Sequence, residues 1–492
     1  MRSPRLLLAL MIGVIMGALD NSILAPALPA VGASFHVDPA QVVLAFSIYS
    51  VFYAVSVPLL GKLSDLLGYK LIYGASMGLF ALGSMLSALS PSLGFLVIAR
   101  VIQAIGAGGL FPVAQAIIGA VYPKEERGRA LGAVLGVFAL GNVVGPNLGG
   151  FIVQHASWHW CFWINVPIGA LGVLLLSGLS LPRPSRHPRI DWVGAGLVAL
   201  GFGSLVLGIQ GLQDLSHVGF WSLEIVGRFG LAALGLLLLW GWERGQTEPI
   251  VDVRLALSPA FAPLLLVSIL VGYALLGGII FSPLFSQLAY GLSAFASGAI
   301  LNSLALSLAI TSGLGGALVN RLGGKVLVIL GMALSSSGLL LMTYASGPLW
   351  GLLLGLALLG LGLGFVQGPL SFLALDLAPR GSQGQVSSLV SLTRSLGAAA
   401  GITLSGVFLA QASQKLAAGA GTFAQQAAGG SNLQSLKHAP PFVQHLVTQT
   451  LMEGIGEGWK IAGLAALGGL LFALLLVERR GPRPEEIPMS EG

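Results

Sequence analysis

The sequence predicts an all-α membrane protein with fourteen transmembrane helices, arranged as two six-helix bundles with two extra helices between them. Composition is the first reason, because 55% of the 492 residues are hydrophobic and only 9% are charged, against about 25% charged in a typical soluble domain. The roughly 271 apolar residues suffice for thirteen or fourteen helices of ~20 residues each. The distribution of positive charge and an internal repeat are the other two reasons.

The predicted spans are separated by short breaks rich in Gly, Pro and charged residues. The first apolar segment, over residues 6–28, is longer than the apolar part of a signal peptide and lacks a small-residue cleavage site, which favours a membrane span. The spans are predicted to begin near Leu6, Gln41, Leu71, Ser92, Arg129, Trp160, Trp192, Ser222, Pro259, Ser293, Val326, Pro348, Gly384 and Trp459.

Positive charge follows these spans. Cytoplasmic loops of membrane proteins carry the excess of Lys and Arg, and 18 of the 24 such residues fall on one side, which also holds both termini. The six exceptions are Lys415, Lys437 and Lys460 on the opposite side and Arg100, Arg228 and Arg394 inside spans. Both termini are therefore predicted to be cytoplasmic, in a bacterial-type plasma (inner) membrane. Because the charge is scattered over short loops, it does not form a nucleic-acid surface.

The chain contains an internal repeat. Residues 61–70 recur as residues 316–325, with five identities in ten positions and an offset of 255. Gly141 and Gly145 likewise precede Gly397 and Gly401 by 256 positions. Repeated six-helix halves with a site between them allow one half to rock against the other, which is alternating access.

The repeat offset predicts the domain organisation. The first six spans occupy only about 175 residues, so two more helices must lie between the halves, at the periphery. We expect a first six-helix bundle over residues 1–180 and two inserted helices with flanking cytoplasmic loops over residues 181–255. The second bundle is expected over residues 256–478, including a long outer segment at 411–458, and a cytoplasmic tail over residues 479–492.

Several motifs in order resemble the major facilitator superfamily, specifically its fourteen-span drug:proton antiporters, which include the quaternary-ammonium and Emr-type exporters. The similar segments are residues 19–29 in span one, 61–70 between spans two and three, 100–106 in span four, 141–150 in span five and 158–167 at the entry to span six. Tyr69 and His159 stand where the family usually has Arg, and Ala104 where it usually has Gly. The resemblance implies the major facilitator fold and proton-coupled drug efflux.

Asp20 is the only acid predicted deep within a span. A carboxylate near the membrane middle costs roughly 2.5–3.5 kcal/mol on insertion scales, so it usually has a partner or a task. Asp20 and Arg100 each lie about eight residues from the same side of the membrane, which places both about 12 Å deep at ~1.5 Å per residue. We predict that Asp20 is the protonation site and that Arg100 favours its ionised form. A structural Asp at a helix break near Pro26 is the alternative.

Other polar residues inside the spans are candidates for the substrate cavity. Arg394 is predicted near the membrane middle, where an Arg normally faces a cavity or the bundle interior; a structural Arg bonding backbone carbonyls is the alternative. The remaining candidates, each of which fits a hydrogen bond between packed helices equally well, are Gln103, Gln115, Asn142, Gln287, Asn302 and Gln367. Arg228 instead has the spacing to pair with Glu224 on its own helix.

Two of the motifs imply moving parts. By resemblance, the loop motif latches the inward gate, and a capped turn is the alternative. The candidate latch residues are Gly61, Asp65, Gly68 and Lys70, with Arg127 and Arg129 as partners. Glycines and a proline in the fifth span permit a kink and close helix contact, which fits a hinge and an antiporter gate alike. These residues are Gly141, Gly145, Pro146, Gly149 and Gly150.

The predicted substrate is a small hydrophobic molecule. Spans nine to fourteen lack a mid-membrane carboxylate, which disfavours a dication and favours a neutral, amphipathic or weakly acidic compound. A lipid or glycolipid exporter on the same scaffold is the main alternative, and metabolite uptake by symport is a third. The outer segment 411–458 fits short interfacial helices or a flexible cover. The expected partners are this substrate or lipid, protons and the bilayer, and the chain is expected to be a monomer.

Enzyme and metal classes lack their residues. Residues 74–78 fit G-x-S-x-G, but that motif requires a strand-to-helix turn and here falls in a predicted membrane helix. The sequence has no Walker A motif and no H-E-x-x-H. The single cysteine, Cys161, excludes a disulfide framework and a thiolate metal cluster. We therefore predict no enzyme, no metal site and no cofactor.

Overall fold

The computed structural model describes residues 4–24, 27–37, 39–181, 191–212, 222–246, 249–292, 294–344, 348–379, 381–428 and 441–478. The regular elements in these ranges are all helices. The first half consists of α1 (Pro4–Ile23), α2 (Leu28–Phe35), α3 (Pro39–Leu67), α4 (Tyr69–Ala88), α5 (Leu93–Val121), α6 (Lys124–His155), α7 (Trp160–Trp163) and α8 (Asn165–Ser177). The inserted pair is α9 (Trp192–Gly211) and α10 (Leu223–Glu243), followed by the short α11 (Val253–Ala256).

The second half consists of α12 (Ala262–Ile279), α13 (Ser282–Tyr290), α14 (Ala294–Ala299), α15 (Leu301–Leu322), α16 (Gly324–Thr343), α17 (Leu349–Leu377), α18 (Gln383–Ala428) and α19 (Pro441–Leu474). Twelve helical stretches of the described chain are long and apolar enough to cross a membrane. Helices α1 and α18, the expected first and thirteenth spans, are not among the twelve. The count of fourteen spans therefore stays a prediction.

The end of the chain corrects one expectation. The segment 411–458 does not fold as separate interfacial helices in its described parts: α18 continues to Ala428, and α19 already begins at Pro441 rather than near Trp459. Ala and Gln are good helix formers, so the run of these residues after position 410 prolongs the preceding helix. Residues 429–440 and the predicted tail 479–492 lie outside the described residues.

The repeat is visible in the backbone. Gly68 separates α3 from α4 and Gly323 separates α15 from α16, and both have a positive φ, 101° and 86° respectively. Only glycine adopts such a φ without steric cost, which explains why both copies of the repeat keep this residue. The halves are thus built on the same plan, as the offset of 255 residues predicts.

The halves meet along two seams. At the first seam α3 lies against α18, and at the second α6 lies against α15. Glycines permit close approach at both: a Cβ on Gly61 would lie 2.5 Å from the Gly384 carbonyl oxygen, and a Cβ on Gly316 would lie 2.8 Å from the Gly128 carbonyl carbon. The inserted pair covers the first seam, because α9 contacts both α3 and α18. It therefore touches both halves, although α10 is largely exposed.

The packing of α5 on α4 predicts a test of the first half. A Cβ added at Gly106 would lie 2.7 Å from the Ser76 carbonyl oxygen and 2.9 Å from Phe80 Cα, whereas a Cβ at Gly78 would meet nothing within 4 Å. We expect Gly106→Ala to destabilise the protein by ~1–3 kcal/mol through overpacking, measured as a lower midpoint of thermal unfolding in detergent. Gly78→Ala is the matched control and should leave the midpoint unchanged or raise it. Equal midpoints for the two variants would contradict this packing.

Candidate functional site

Asp20 lies in a fully buried polar cluster of the first half. Its side chain on α1 is 0% exposed, and that of Arg100 on α5 is 3% exposed. Arg100 Nη1 donates to Asp20 Oδ2 at 2.8 Å, and Gln103 Nε2 donates to Asp20 Oδ1 at 2.8 Å. Arg100 Nη1 also lies 2.7 Å from Gln103 Oε1, which fixes the orientation of that amide. The two residues that were placed at equal depth by sequence therefore form a direct ion pair.

Two further helices complete this cluster. Asn165 Nδ2, at the start of α8, lies 3.4 Å from Asp20 Oδ1 and donates to Ser84 Oγ on α4 at 3.0 Å. Ser84 Oγ also accepts from Gln103 and donates to the Phe162 carbonyl at 3.0 Å. Asn165 Oδ1 is buried and has no hydrogen-bond partner in the described structure. The carboxylate thus joins α1 directly to α5 and α8 and, through the bonds of Gln103 and Asn165 to Ser84, indirectly to α4.

Aromatic rings cover the arginine of the ion pair. The guanidinium carbon of Arg100 lies 4.0 Å from the centroid of the Tyr49 ring and 5.7 Å from that of Phe162. A cation over an aromatic face gains roughly 0.5–2 kcal/mol, more where water is excluded. The rings therefore stabilise Arg100 without supplying a second anion, so Asp20 is its carboxylate partner in the cluster.

The fifth-span motif packs the helix that carries Asp20. The motif residues on α6 are Gly141, Gly145, Pro146, Gly149 and Gly150. A Cβ at Gly141 would lie 2.8 Å from Ala18 Cβ and one at Gly149 would lie 2.9 Å from the Ile23 carbonyl carbon, whereas Gly150 faces open space. Ser22 Oγ donates to the Gly141 carbonyl at 3.3 Å. Three glycines, four residues apart, thus hold α6 against α1, and Pro146 lies within the same helix.

Arg394 lies across the interface between the halves. From α18 its guanidinium carbon sits 4.4 Å from the centroid of the Phe111 ring on α5 and 5.9 Å from that of Phe138 on α6. The two rings are themselves 5.0 Å apart. Arg394 is only partly buried, so these residues form a half-open cationic and aromatic surface where both halves meet.

The other candidate cavity residues have diverse positions. Gln103 belongs to the Asp20 cluster, and Gln115 Nε2 donates to Ser371 Oγ at 3.0 Å across the two halves. Asn142 bonds the Phe138 carbonyl within its own helix, and Gln287 bonds Ser297. Gln367 is buried on α17 and Asn302 is exposed on α15. The first four therefore have bonding tasks in the packing of helices.

The loop motif forms a contact between the halves at the first seam. Asp65 Oδ1 accepts from the backbone amide of Gly384 at 2.9 Å, and Asp65 Oδ2 accepts from that of Gln385 at 2.8 Å. These amides begin α18, where the helix dipole favours an anion. The Tyr69 hydroxyl donates to Asp65 Oδ1 at 2.9 Å, which gives a bonding role to the residue that departs from the family motif.

This contact corrects the expected latch partners. Arg127 Nε donates to the Tyr122 carbonyl at 2.9 Å, and Arg129 is exposed. Lys70 Nζ donates to the Ser177 carbonyl at the end of α8 at 2.6 Å, within the first half. The carboxylate does not need these cations, because two backbone amides and a hydroxyl already satisfy its oxygens. The partner of Asp65 could not be predicted from the sequence, because every residue type except proline has a backbone amide that can donate.

The second seam has a different, neutral contact. Asn320, in the second copy of the repeat, donates to the Glu125 carbonyl at the start of α6 at 2.6 Å. Nearby, Lys124 pairs with Asp376 across the halves at 3.1 Å. We call the end of the helices that carries Lys62, Lys70 and Lys124 the basic face. The bonds of Asp65, Asn320 and Lys124 join the halves near this face, so the basic face is closed.

His159, outside the spans, differs electrically from the Arg usual at its position. Its Nδ1 lies 2.6 Å from Ser157 Oγ, and its ring stacks on Trp158 at 3.8 Å. Burial lowers the pKa of His159 below its usual value, which favours the neutral ring. This departure therefore removes a positive charge from the end of the bundle opposite the basic face.

The described residues contain no group of three or more His, Cys, Asp or Glu side chains placed to hold a metal ion.

The sequence profile of the Major Facilitator Superfamily matches residues 10–402. The chain belongs to the major facilitator superfamily. It is therefore a multi-pass membrane transporter, a family whose members are in general not enzymes.

Relatives from Bacillus subtilis (strain 168) resemble most of the chain. The MFS-type transporter YfiU, which is uncharacterized, is 34% identical over 81% of this chain and 78% of its own length. The multidrug transporter protein MdtP is 31% identical over 82% of this chain and 75% of its own length. Multidrug resistance protein 3 is 32% identical over 81% of this chain and 78% of its own length.

Solved structures support the fold. The human organic anion transporter MFSD10 (TETRAN) superposes with a TM-score of 0.67 at 17% identity, over 96% of this chain and all of that one. The proton:xylose symporter XylE gives 0.64 at 14% identity, over 95% of this chain and 94% of its own. The predicted major facilitator fold, all-α and membrane-spanning, is confirmed.

The Asp20–Arg100 pair predicts a pattern of stabilities. Removing one partner of a buried ion pair leaves an uncompensated charge and costs ~3–5 kcal/mol. We therefore expect Arg100→Gln to lower the unfolding midpoint in detergent strongly and Asp20→Asn/Arg100→Gln to recover part of the loss. Arg228→Gln, which breaks the exposed pair with Glu224, is the control and should cost less than ~1 kcal/mol. A double variant less stable than Arg100→Gln would contradict the pairing.

The Asp65 contact predicts how firmly the first seam is closed. Ser388, near this contact, is only 1% exposed. A Ser388→Cys variant in a Cys161→Ser background therefore reacts with maleimide only when the first seam opens, and its labelling rate measures that opening. Hydrogen bonds to a charged group are worth ~1.5–3 kcal/mol each, so adding Asp65→Ala should speed labelling about tenfold or more.

The control for this labelling is Asn320→Ala, which removes the neutral contact at the second seam and should change the rate less. An unchanged rate in Asp65→Ala, or a larger effect of Asn320→Ala, would show that Asp65 does not hold the seam closed.

Proposed function

We propose that this transporter is a proton-coupled antiporter that exports hydrophobic or amphipathic drugs by alternating access, with Asp20 as the protonation site. The observation that carries the proposal is the fully buried Asp20–Arg100 pair, which is tied by hydrogen bonds to α4, α5 and α8. Two of the relatives named above are described as multidrug proteins. A proton on Asp20 cancels its attraction to Arg100 and so changes the contacts of four helices at once.

The energetics of one proton are adequate for efflux. A charge that crosses ~100 mV releases about 2.3 kcal/mol. At 1.4 kcal/mol per tenfold, this supports roughly a 50-fold gradient of substrate. One titrating carboxylate is therefore sufficient, and the second half needs no further buried acid in its spans.

Arg394 with Phe111 and Phe138 is the proposed substrate surface. Aromatic faces and one cation at the meeting point of both halves suit an amphipathic, aromatic or weakly acidic molecule better than a dication, which Arg394 would repel. Because the two rings belong to the first half and the guanidinium to the second, a bound molecule contacts both halves. Rocking of the two halves therefore changes the surroundings of the bound molecule.

We further propose fourteen spans with both termini in the cytoplasm of a bacterial-type inner membrane. Helix α1 packs against α6 and α8, and α18 packs against α12 and α19, all of which are or contain stretches that can cross the membrane. Lys62, Lys70 and Lys124 lie at the end of the helices where α1 begins and α19 ends, which fits the excess of positive charge in cytoplasmic loops. The structure then represents the state that is closed to the cytoplasm.

Export of a lipid is the second candidate function. A groove of about 550 Å³ between α4 and α8 is lined almost entirely by apolar side chains and glycines, among them Leu82, Met85 and Val173. This groove has the chemistry to hold an acyl chain. It lies beside the Asp20 cluster, because α4 and α8 also carry Ser84 and Asn165.

Transport in proteoliposomes under an imposed pH gradient tests the proposal. We expect the wild type to move hydrophobic drugs against the direction of proton flow. In Asp20→Asn the gradient-driven transport rate should fall at least ten-fold, because the asparagine side chain cannot be deprotonated. Glu224→Gln, which neutralises an exposed acid, should retain the wild-type rate.

Full proton-driven transport by Asp20→Asn would contradict the assignment of the protonation site. Movement of a fluorescent lipid without movement of any drug would favour the second candidate function instead.

A further inference from the structure

The link between α10 and α11 is tied to the second half. We call residues 249–251 the strap. Gln385 Nε2, at the start of α18, donates to the carbonyls of Pro249 at 2.9 Å and Ile250 at 3.1 Å. These two bonds hold the strap on the first turn of α18, at the basic face.

The strap is equally tied to the inserted pair. The backbone amides of Ile250 and Val251 donate to Glu243 Oε1, on the last residue of α10, at 3.1 and 3.2 Å. Glu243 is only 4% exposed, and its Oε2 has no hydrogen-bond partner within the described ranges. Burying a carboxylate with one oxygen unpaired is costly. The two amide bonds offset part of this cost.

The inserted pair is also joined to itself at this end. Asp191 accepts from the Gly194 amide at 2.8 Å, which caps α9, and from Trp242 Nε1 on α10 at 3.0 Å. The end of α10 is thus fixed to the start of α9. A displacement of the strap is therefore transmitted to both helices.

The contact of α9 with the first half is apolar, although the charge of Lys62 on α3 also acts on Glu243 at the end of α10. A Cβ on Gly203 of α9 would lie 3.5 Å from Val51 and 3.6 Å from Val55 on α3. Val206 shares a buried apolar cluster with Ala54 and Val57 of α3 and with Leu392 of α18. Apolar surfaces of this type can slide past one another without unpaired polar groups, whereas the strap cannot leave α18 without breaking hydrogen bonds.

We propose that the second half carries the inserted pair as one rigid unit, through Glu243 and Gln385, and that the pair slides over α3 when the basic face opens. Gln385 is the residue whose backbone amide binds Asp65 and whose side chain binds the strap. Glu243 and Gln385 are therefore positioning residues for the first seam. The proposal rests on the rocking of the halves under the proposed function.

Distances between spin labels test this inference without any substrate. In a Cys161→Ser background, Gly245→Cys/Ser382→Cys measures the pair against α18, and Gly245→Cys/Leu66→Cys measures it against α3. Arg129→Cys/Leu322→Cys spans the second seam and reports whether the basic face has opened. Asp65→Asn is added to populate the open state.

We expect Asp65→Asn to lengthen the distances from Gly245 to Leu66 and from Arg129 to Leu322 by several ångströms, and to leave the distance from Gly245 to Ser382 unchanged. Glu243→Leu should broaden the distribution from Gly245 to Ser382, because the strap loses its acceptor. Glu243→Gln keeps a carbonyl oxygen for the amides and should restore the narrow distribution.

The opposite pattern overturns the inference: a distance from Gly245 to Ser382 that changes while the distance from Gly245 to Leu66 stays fixed places the pair with the first half. A distribution unaffected by Glu243→Leu removes the role of the strap. A distance from Arg129 to Leu322 that never changes contradicts the rocking motion itself, and so separates failure of the proposed function from failure of the strap.

Discussion

The burial of one ion pair, Asp20 with Arg100, is the constraint on which the first half depends. Taking two charges out of water costs several kcal/mol per ion unless geometry and further hydrogen bonds compensate. The chain provides them through Gln103, on the same helix as Arg100, and from two other helices through Asn165 and the ring of Tyr49. The glycines of α6 bring α1 close enough to remain part of the cluster. The same bonds that stabilise the charged pair make the packing sensitive to a proton, since a neutral Asp20 no longer balances Arg100.

The two seams show how a repeated architecture becomes asymmetric. Both have glycines that let helices from opposite halves approach closely. One copy of the loop motif places a carboxylate on the amides of a helix start, whereas the other places Asn320 on a carbonyl. The charged contact is stronger, and it lies at the seam that the inserted pair covers. The two copies of the loop motif therefore differ in charge, although the second seam also has an ion pair outside the motif, between Lys124 and Asp376.

The sequence predicted the features that depend on residue type and periodicity. A lone acid among apolar residues indicated Asp20, and matching depth indicated Arg100, because charge inside a membrane is too costly to be accidental. Positions set by backbone and tertiary contacts could not be predicted. The partner of Asp65 is a pair of amides 319 and 320 residues away, so Arg127 and Arg129 were chosen on charge alone. Gln103 was assigned to the cavity because an amide in a span does not reveal which neighbour it faces. The start of α19 was placed 18 residues too late, since a polar helical extension lacks the hydropathy of a span.

The most direct test of the account is proton release on substrate binding. Purified protein is placed in weakly buffered detergent with a pH-indicator dye. It should release protons when a transported drug is added, because in an antiporter the drug and the proton on Asp20 bind alternately. Asp20→Asn should bind the drug and release none, while Glu224→Gln should release as many as the wild type. Equal release from the wild type and Asp20→Asn would contradict the claim that this carboxylate carries the exchanged proton.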